Sequence, residues 1–126
     1  MQMLTGKRVL VLEDEAMIAA MVEEMLTDLG AVVVGPATTI ESGLSLAAAE
    51  HLDAALLDVN IRSTRVDPVA ALLLSRGIPV VFATGYGQSA VDRSTRTLIL
   101  EKPYTQDKLA VALHEAIGTP GAGTPA

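Results

Sequence analysis

Five residues with reactive or ligating side chains each stand at the end of a short apolar run of the sequence. Glu13 and Asp14 follow the first run, Asp58 the third, Thr84 the fourth and Lys102 the fifth. Clustered carboxylates repel one another unless a cation or a bound proton offsets their charge. Oxygen ligands without His or Cys suit Mg²⁺, which bridges carboxylate and phosphate groups. The residue types therefore predict a magnesium site.

The chemistry predicted for such a site is metal-assisted phosphoryl transfer to a carboxylate. Asp58 stands alone at the end of its run and is the predicted nucleophile, giving an aspartyl phosphate. Glu13 and Asp14 are predicted to help hold the metal. The Lys102 ammonium and the Thr84 hydroxyl are predicted to bind phosphoryl oxygens.

Each of these residues also has a simpler interpretation. Asp14 could cap the helix that follows it, and a lone Asp58 could be a turn residue. Thr84 before Gly85 is typical of a turn, and Lys102 of a solvated charge. The coincidence of all of them at strand ends favours the functional interpretation.

The predicted elements place these residues at one edge of a sheet. Five continuously apolar runs alternate with amphipathic segments, which predicts a parallel sheet covered on both faces, a doubly wound α/β domain. In such sheets ligands bind beyond the carboxyl ends of the strands. The predicted strands are 9–12, 31–34, 54–57, 80–83 and 98–100. The predicted helices are 14–29, 38–50, 67–75, 89–96 and 105–117.

Several boundary signals support these ranges. The Thr38–Glu41 spacing predicts a capping box for the second helix, and Asp67 before Pro68 predicts the start of the third. The methionines of the first helix, Met17, Met21 and Met25, are predicted to fill the core. Residues 1–117 are predicted to form one domain, and the Gly/Pro/Thr-rich residues 118–126 a disordered tail.

Composition narrows the function classes. Half of the 126 residues are hydrophobic and 19% are charged, as expected of a globular domain. The absence of cysteine excludes disulfides and thiolate chemistry. A net charge of −6 argues against direct nucleic-acid binding. No apolar run is long enough to span a membrane and acids come too early for a signal peptide, so we expect a cytoplasmic protein.

The site residues together resemble the receiver domains of two-component response regulators, from about residue 7 to residue 117. The resemblance implies a flavodoxin-like five-stranded fold, with Asp58 as the phosphoacceptor. It implies that Asp14, Asp58 and the backbone carbonyl of Asn60 ligate Mg²⁺, and that Glu13 acts mainly through metal-bound water. It also implies that Thr84 is a switch hydroxyl with Lys102 as the ion partner of the phosphoryl group. The Lys102–Pro103 bond is often cis in such domains, and we predict a cis bond here.

The segment Phe82-Ala-Thr-Gly-Tyr-Gly87 is similar to the FATGUY subfamily of mostly single-domain receivers. That similarity implies a role in stress signalling. It also implies a phosphodonor that is a histidine kinase, of the HWE or HisKA2 type, or a histidine phosphotransfer protein. A downstream protein target is implied as well, and a weak homodimer is compatible with the family.

Two stretches depart from the usual receiver pattern. Residues 59–68 lack the usual Met-Pro or Leu-Pro and the Gly that follows it, so the conformation of the 59–67 loop is open. Leu98, Ile99 and Leu100 stand where an aromatic switch residue is usual, and Tyr86 is the candidate to replace it.

Three other functions compete with a phosphoaccepting receiver. A small Mg²⁺-dependent phosphohydrolase would also use an aspartyl phosphate, but it usually has an Asp two residues after the nucleophile, where this chain has Asn60. A nucleotide-binding module is disfavoured because phosphate-cradling glycine loops are absent. A degenerate receiver that acts only as a binding module is disfavoured because the acid pair, Asp58, Thr84 and Lys102 are all present.

Overall fold

A computed structural model describes residues 3–61, 64–85 and 97–118 of the chain. Within these ranges, seven strands and four helices follow one another. The strands are β1 Arg8–Leu12, β2 Val32–Ala37, β3 Ala54–Asp58, β4 Asn60–Ile61, β5 Thr64–Arg65, β6 Val80–Thr84 and β7 Thr97–Glu101. The helices are α1 Ala16–Asp28, α2 Ile40–Ala49, α3 Asp67–Ser75 and α4 Gln106–Gly118.

Five of the strands form one parallel sheet in the order β2-β1-β3-β6-β7. All four pairings are parallel. The order changes direction at β1, so β1 and β3 lie side by side at the switch point where ligands bind in this architecture. The predicted doubly wound sheet is therefore confirmed. The predicted helix at 89–96 lies outside the described residues. So does the predicted tail at 118–126 except for its first residue, Gly118, which is the last residue of α4.

The apolar runs become strands because both faces of the sheet are buried. Leu10, Leu12, Leu57 and Phe82 face a core shared with α2 and α3. The alternate residues of the same strands, together with α1 and α4, form a second core on the opposite face. A strand buried on both faces has no polar face, which is why these sequences show no alternation.

The helix boundaries lie within two residues of the predicted ones. The capping box of α2 joins Thr39 and Ser42, one residue later than predicted, because the Ser42 N–H donates to the Thr39 hydroxyl at 3.1 Å. Helix α1 begins after Glu15, and its N-cap makes no side-chain hydrogen bond, so Asp14 is not the cap. At α4 the Thr105 hydroxyl accepts the Lys108 N–H at 3.2 Å, consistent with the predicted cap.

Strand β2 extends to Ala37, three residues beyond the prediction, through a local irregularity in its pairing with β1. Leu10 pairs with Val34 but Leu12 pairs with Ala37, so one extra residue of β2 is accommodated around Gly35. The Gly35 φ of 103° is open to glycine and costly for other residues. Both Gly35–Pro36 and Lys102–Pro103 are cis; the second confirms the prediction and the first had no counterpart in it.

The polar stretch after β3 is a β-hairpin, which the sequence did not predict. Strands β4 and β5 pair antiparallel, with Asn60 opposite Arg65 and Ile61 opposite Thr64. Val59, Ile61 and Val66 are buried in the core beneath the hairpin. Those three apolar residues at alternating or flanking positions fix the hairpin to the domain.

The methionines of α1 do not all fill the core. Met17 is 80% exposed and Met21 is 56% exposed, while Met25 packs against the core formed with α4. The prediction was wrong for Met17 and Met21 because Ala19, Val22 and Leu26 form the buried face of the helix. The buried face of α1 is therefore narrower than its apolar residues suggested.

Candidate functional site

The acid pair that follows β1 is held by its own backbone and by the edge strand. The Glu13 N–H donates to the Ala37 carbonyl at 2.9 Å, which extends the β1–β2 pairing by one residue. The Glu13 side chain turns inward and is only 4% exposed. The Oε2 atom of Glu13 accepts the Glu15 N–H at 3.1 Å, so the chain turns sharply between β1 and α1.

The carboxylates of Glu13, Asp14 and Asp58 converge at the carboxyl ends of β1 and β3. One oxygen from each lies within 4.8 Å of the others. Asp58 is the last residue of β3 and its side chain is 15% exposed, so it is reachable from solvent but largely enclosed. Three residues predicted as metal ligands are thus brought together.

Lys102 bridges two of these carboxylates. Its Nζ lies 3.1 Å from a Glu13 oxygen and 3.2 Å from an Asp58 oxygen. The backbone N–H of Lys102, which follows β7, donates to the Thr84 carbonyl at 2.9 Å. This bond holds Lys102 beside the end of β6. Thr84 itself is 1% exposed at the end of β6, the strand beside β3.

The electrostatics of the site follow from burial and from this ion cluster. Burial raises the pKa of Glu13 above its ordinary value, and the nearby Asp58 charge adds to the rise, while the Glu15 N–H and Lys102 oppose it. Burial disfavours the charged form of Lys102, but Asp58 and Glu13 together outweigh it and raise the pKa of Lys102. Lys102 therefore stays an ammonium.

Tyr104 is a neighbour of the site that sequence reasoning missed. Burial raises its pKa to about 12, and its phenol is close enough to Lys102, Glu13 and Asp58 for their charges to act on it. An aromatic residue two positions after the strand-end lysine was the available signal. Tyr86, the residue predicted as a switch, lies outside the described residues.

An apolar cavity of about 310 Å³ opens beside the site between α1 and the segment that follows β7. Its lining residues are Ile18, Met21, Val22, Met25, Lys102, Pro103 and Tyr104. Lys102 lines this cavity and also contacts the carboxylates of Glu13 and Asp58, so it is shared by the two features. The exposed side chain of Met21 stands at the rim.

The arrangement suits a divalent cation and a phosphoryl group. Carboxylate oxygens are the donors that Mg²⁺ prefers, and one from each of these three residues lies within 4.8 Å of the others. The Lys102 ammonium offsets only part of their charge. Position 60, predicted to ligate through its carbonyl, follows β3 within the β4–β5 hairpin.

Comparison with known proteins identifies the family. No protein-family model matches the chain. SdrG from Sphingomonas melonis Fr1, a solved structure, is 40% identical; the match covers 94% of this chain and all of that one, with a TM-score of 0.78. This chain belongs to the receiver domains of response regulators.

Other similar receiver-containing proteins are longer or more distant. Transcriptional regulatory protein PdtaR of Mycobacterium tuberculosis is 29% identical over 88% of this chain, and the phyllosphere-induced regulator PhyR of Methylorubrum extorquens is 26% identical over 86%. This chain spans about half the length of these curated relatives, 57% and 43% respectively. A solved structure of the PhyR stress response regulator is 24% identical to this chain, with a TM-score of 0.77. The match covers 89% of this chain and 45% of that one.

A receiver domain with bound metal shares the fold. The receiver domain of sensor histidine kinase PA1611 from Pseudomonas aeruginosa holds a magnesium ion in its active-site cleft. It is 21% identical, covers 91% of this chain and all of its own, and has a TM-score of 0.80. No helix in the described part of our receiver domain is long and apolar enough to cross a bilayer.

Proposed function

We propose that this receiver domain accepts a phosphoryl group on Asp58 from a phosphohistidine, in a two-component system or a phosphorelay. The observation that carries the proposal is the convergence of Glu13, Asp14 and Asp58 with the Lys102 ammonium at one edge of the sheet. Membership of the receiver family supports it.

The reaction is a displacement at phosphorus. An Asp58 oxygen attacks the phosphorus, the bond from phosphorus to the donor imidazole nitrogen breaks, and that nitrogen keeps the electron pair. Lys102, already 3.2 Å from an Asp58 oxygen, pairs with the charge on the transferred group. The Thr84 hydroxyl, at the end of the adjacent strand, donates to a phosphoryl oxygen and so reports the modification.

The metal would be held by Asp14, Asp58 and the Asn60 carbonyl, with Glu13 acting through a bound water. When bound, Mg²⁺ supplies the positive charge that lets an anionic phosphoryl group approach three carboxylates. Their oxygens lie close enough together to share one ion, which supports this assignment.

The product of the proposed reaction is a phosphorylated signalling protein rather than a small molecule released by hydrolysis. Position 60 carries Asn, not Asp, so no second carboxylate stands two residues after the nucleophile to act as acid and base. The phosphohydrolase alternative is therefore not favoured. We assign the domain phosphoryl acceptance and autodephosphorylation only, with the message passed on by protein contact.

The apolar cavity beside Lys102 is the surface through which a protein donor reaches Asp58. It shares Lys102 with the carboxylate cluster, the exposed Met21 lines it, and the exposed Met17 lies on the same helix. Methionine side chains adapt to different apolar partners. We therefore assign α1 and the cavity to a histidine kinase or histidine phosphotransfer protein.

The finer family assignment and the pathway rest on sequence similarity. The FATGUY motif begins at Phe82 and supports an HWE or HisKA2 kinase as the donor. The relatives PdtaR and PhyR support a regulatory partner downstream, and PhyR supports a role in stress signalling.

Intact mass after incubation with Mg²⁺ and acetyl phosphate tests the proposal. We expect the wild type to gain one phosphoryl group and Asp58→Asn to gain none while remaining folded. Asp28→Asn, an exposed acid at the end of α1, is the matched control and is expected to react like the wild type. Labelling that persists in Asp58→Asn would disprove the nucleophile assignment. If acetyl phosphate labels nothing, the same comparison is made with a phosphorylated kinase.

A further inference from the structure

The hairpin that follows the phosphoacceptor has a register that determines where the Asn60 backbone points. Residues 62 and 63 connect β4 and β5, with Ile61 opposite Thr64 and Asn60 opposite Arg65. One step further out, the Val66 N–H donates to the Val59 carbonyl at 3.0 Å. Hydrogen-bonded and non-bonded pairs alternate along an antiparallel ladder. Because Val59 and Val66 form a hydrogen-bonded pair, the next pair, Asn60 and Arg65, is a non-bonded one.

The direction of the Asn60 carbonyl follows from this register. In a non-bonded pair the backbone groups point away from the facing strand, so the Asn60 carbonyl is directed away from β5 and is not used by the hairpin ladder. Val59, between β3 and β4, is held at both of its backbone groups: its N–H donates to the Ala83 carbonyl at 3.1 Å and its carbonyl accepts from the Val66 N–H. The backbone that carries the Asn60 carbonyl is therefore fixed one residue after Asp58.

We propose that the β4–β5 hairpin is a positioning element for the metal site, and that the Val66 N–H sets it by holding the Val59 carbonyl. Val66 is thus a positioning residue: it touches neither metal nor phosphate and acts through the backbone of residues 59 and 60. The proposal rests on the proposed function, because it gives the hairpin its purpose only if the carboxylate cluster binds Mg²⁺.

The surroundings of the hairpin support this role. Val59, Ile61 and Val66 are each no more than 1% exposed, so the hairpin is anchored in the core shared with α2 and α3. Val66 is also the N-cap residue of α3, so its position is held from both sides. A ligand carried on this backbone is fixed before the metal arrives, which reduces the ordering that binding requires.

Val66→Pro deletes the N–H in question and leaves the backbone otherwise compatible. The Val66 φ of −85° is within reach of proline, and the preceding residue lies in a strand, as a pre-proline residue prefers. Val66→Ala is the matched control because it keeps the N–H and removes most of the same buried side chain.

The measurement is the dissociation constant for Mg²⁺, read from amide chemical shifts of the full chain. We expect Val66→Pro to weaken Mg²⁺ binding roughly tenfold or more, the usual effect of losing a group that supports a metal ligand. We expect Val66→Ala to keep the wild-type dissociation constant, although it is less stable. Equal loss in both variants, or no loss in a folded Val66→Pro, would overturn the proposal.

Amide hydrogen exchange in the wild type gives a second measurement that needs no variant. If closure of the hairpin and metal binding favour each other, saturating Mg²⁺ must slow exchange of the Val66 amide by the same factor, roughly tenfold. An exchange rate that does not change with Mg²⁺ overturns the proposal even if Val66→Pro fails to fold. A wild type that shows no Mg²⁺-dependent shift at all would instead remove the magnesium site of the proposed function.

Discussion

The Lys102 ammonium lies 3.2 Å from a carboxylate oxygen of Asp58, although 44 residues separate the two in sequence. The contact forms because β3 and β7 flank the same strand, β6, and both strands end at the same edge of the sheet. A second carboxylate, that of Glu13, lies 3.1 Å from the same nitrogen. Lys102 therefore stabilises the acidic cluster in the absence of phosphate and is in position for the phosphoryl group.

Replacing Lys102 should destabilise the fold in a way that depends on Glu13. Lys102→Met leaves the nearly buried Glu13 carboxylate without its cation, and we expect the free energy of unfolding to fall by about 1–3 kcal/mol. Urea unfolding of Lys102→Met, Glu13→Gln and the double variant measures the coupling. A double variant as unstable as the sum of the single changes would contradict this view of the pair.

The same variant has a predicted pH dependence. The folded pKa of Glu13 is already raised above its ordinary 4.5, and loss of Lys102 raises it further. A carboxyl group whose pKa is higher in the folded state than in the unfolded state stabilises the fold when it is protonated. That stability is present below the unfolded-state pKa and is lost as the pH rises through the folded-state pKa. The deficit of Lys102→Met should therefore shrink in acid and grow towards neutral pH, and urea unfolding in both buffers checks this.

Tyr104 should ionise far later than a free tyrosine. Its pKa of about 12 has burial as the largest cause, against an ordinary value of 10.0. The chain has two tyrosines, so Tyr86→Phe leaves Tyr104 as the only phenol, and tyrosinate absorbance follows its titration. A midpoint near 10.0 would show that the phenol is not enclosed.

That titration also affects stability. Because the unfolded chain loses the phenolic proton first, the stability present below pH 10 should be lost as the pH rises towards 12. Tyr104→Phe should lack this alkaline loss, and the comparison of unfolding free energies across that range measures it.

How far the sequence predicts this molecule differs between its parts. The sheet and the edge that carries the candidate site were predictable because strands buried on both faces are continuous apolar runs, and four of the five runs end at a candidate site residue. The placement of Asp58 and Lys102 at one edge followed from the predicted parallel topology, whereas their direct contact was not predicted. The exposure of Met17 and Met21 was not predicted either, since a helix can bury a narrower face than its apolar residues suggest.

The β4–β5 hairpin was not predictable for a different reason. Most of its residues are polar, and the core contacts that the described side chains make, those of Ile61 and the flanking Val59 and Val66, are with distant helices. The β2 irregularity likewise depends on how Gly35 meets β1, a long-range contact. Local patterns carry no information about either feature.

Gly35→Ala should damage the site as well as the fold. A Cβ at Gly35 would lie 2.7 Å from the Ala37 nitrogen and 3.1 Å from the Val11 carbonyl oxygen, so backbone has to move. We expect a loss of about 3 kcal/mol in unfolding free energy. Gly77→Ala is the matched control; its φ is also positive but no atom lies within 4 Å, so we expect about 1 kcal/mol.

The two glycine variants should also differ in Mg²⁺ affinity. The Ala37 carbonyl accepts the Glu13 N–H at 2.9 Å, so a shift at Gly35 moves the acid pair. We expect weaker Mg²⁺ binding in Gly35→Ala and unchanged binding in Gly77→Ala, measured by amide shifts. Equal binding in all three proteins would show that β2 does not position Glu13.

Substitution at the rim of the apolar cavity should separate a protein donor from a small one. Met21 is 56% exposed and lines the cavity beside Lys102, so Met21→Glu places a charge on the proposed contact surface without altering the core. We expect phosphoryl transfer from a phosphorylated histidine kinase to slow roughly tenfold, as for loss of a residue central to an interface. Labelling by acetyl phosphate, which needs no protein contact, should keep its wild-type rate.

Val111→Glu supplies the matched control for this experiment. Val111 is 55% exposed, on α4, and lines a different cavity with Leu98 and Ile99, so it receives the same charge at the same exposure on another face. We expect Val111→Glu to accept phosphate from the kinase at the wild-type rate. Equal slowing in both variants would indicate a general charge effect, and slower acetyl phosphate labelling in Met21→Glu would indicate damage to the site. Slowing confined to kinase transfer in Met21→Glu would assign α1 to donor contact.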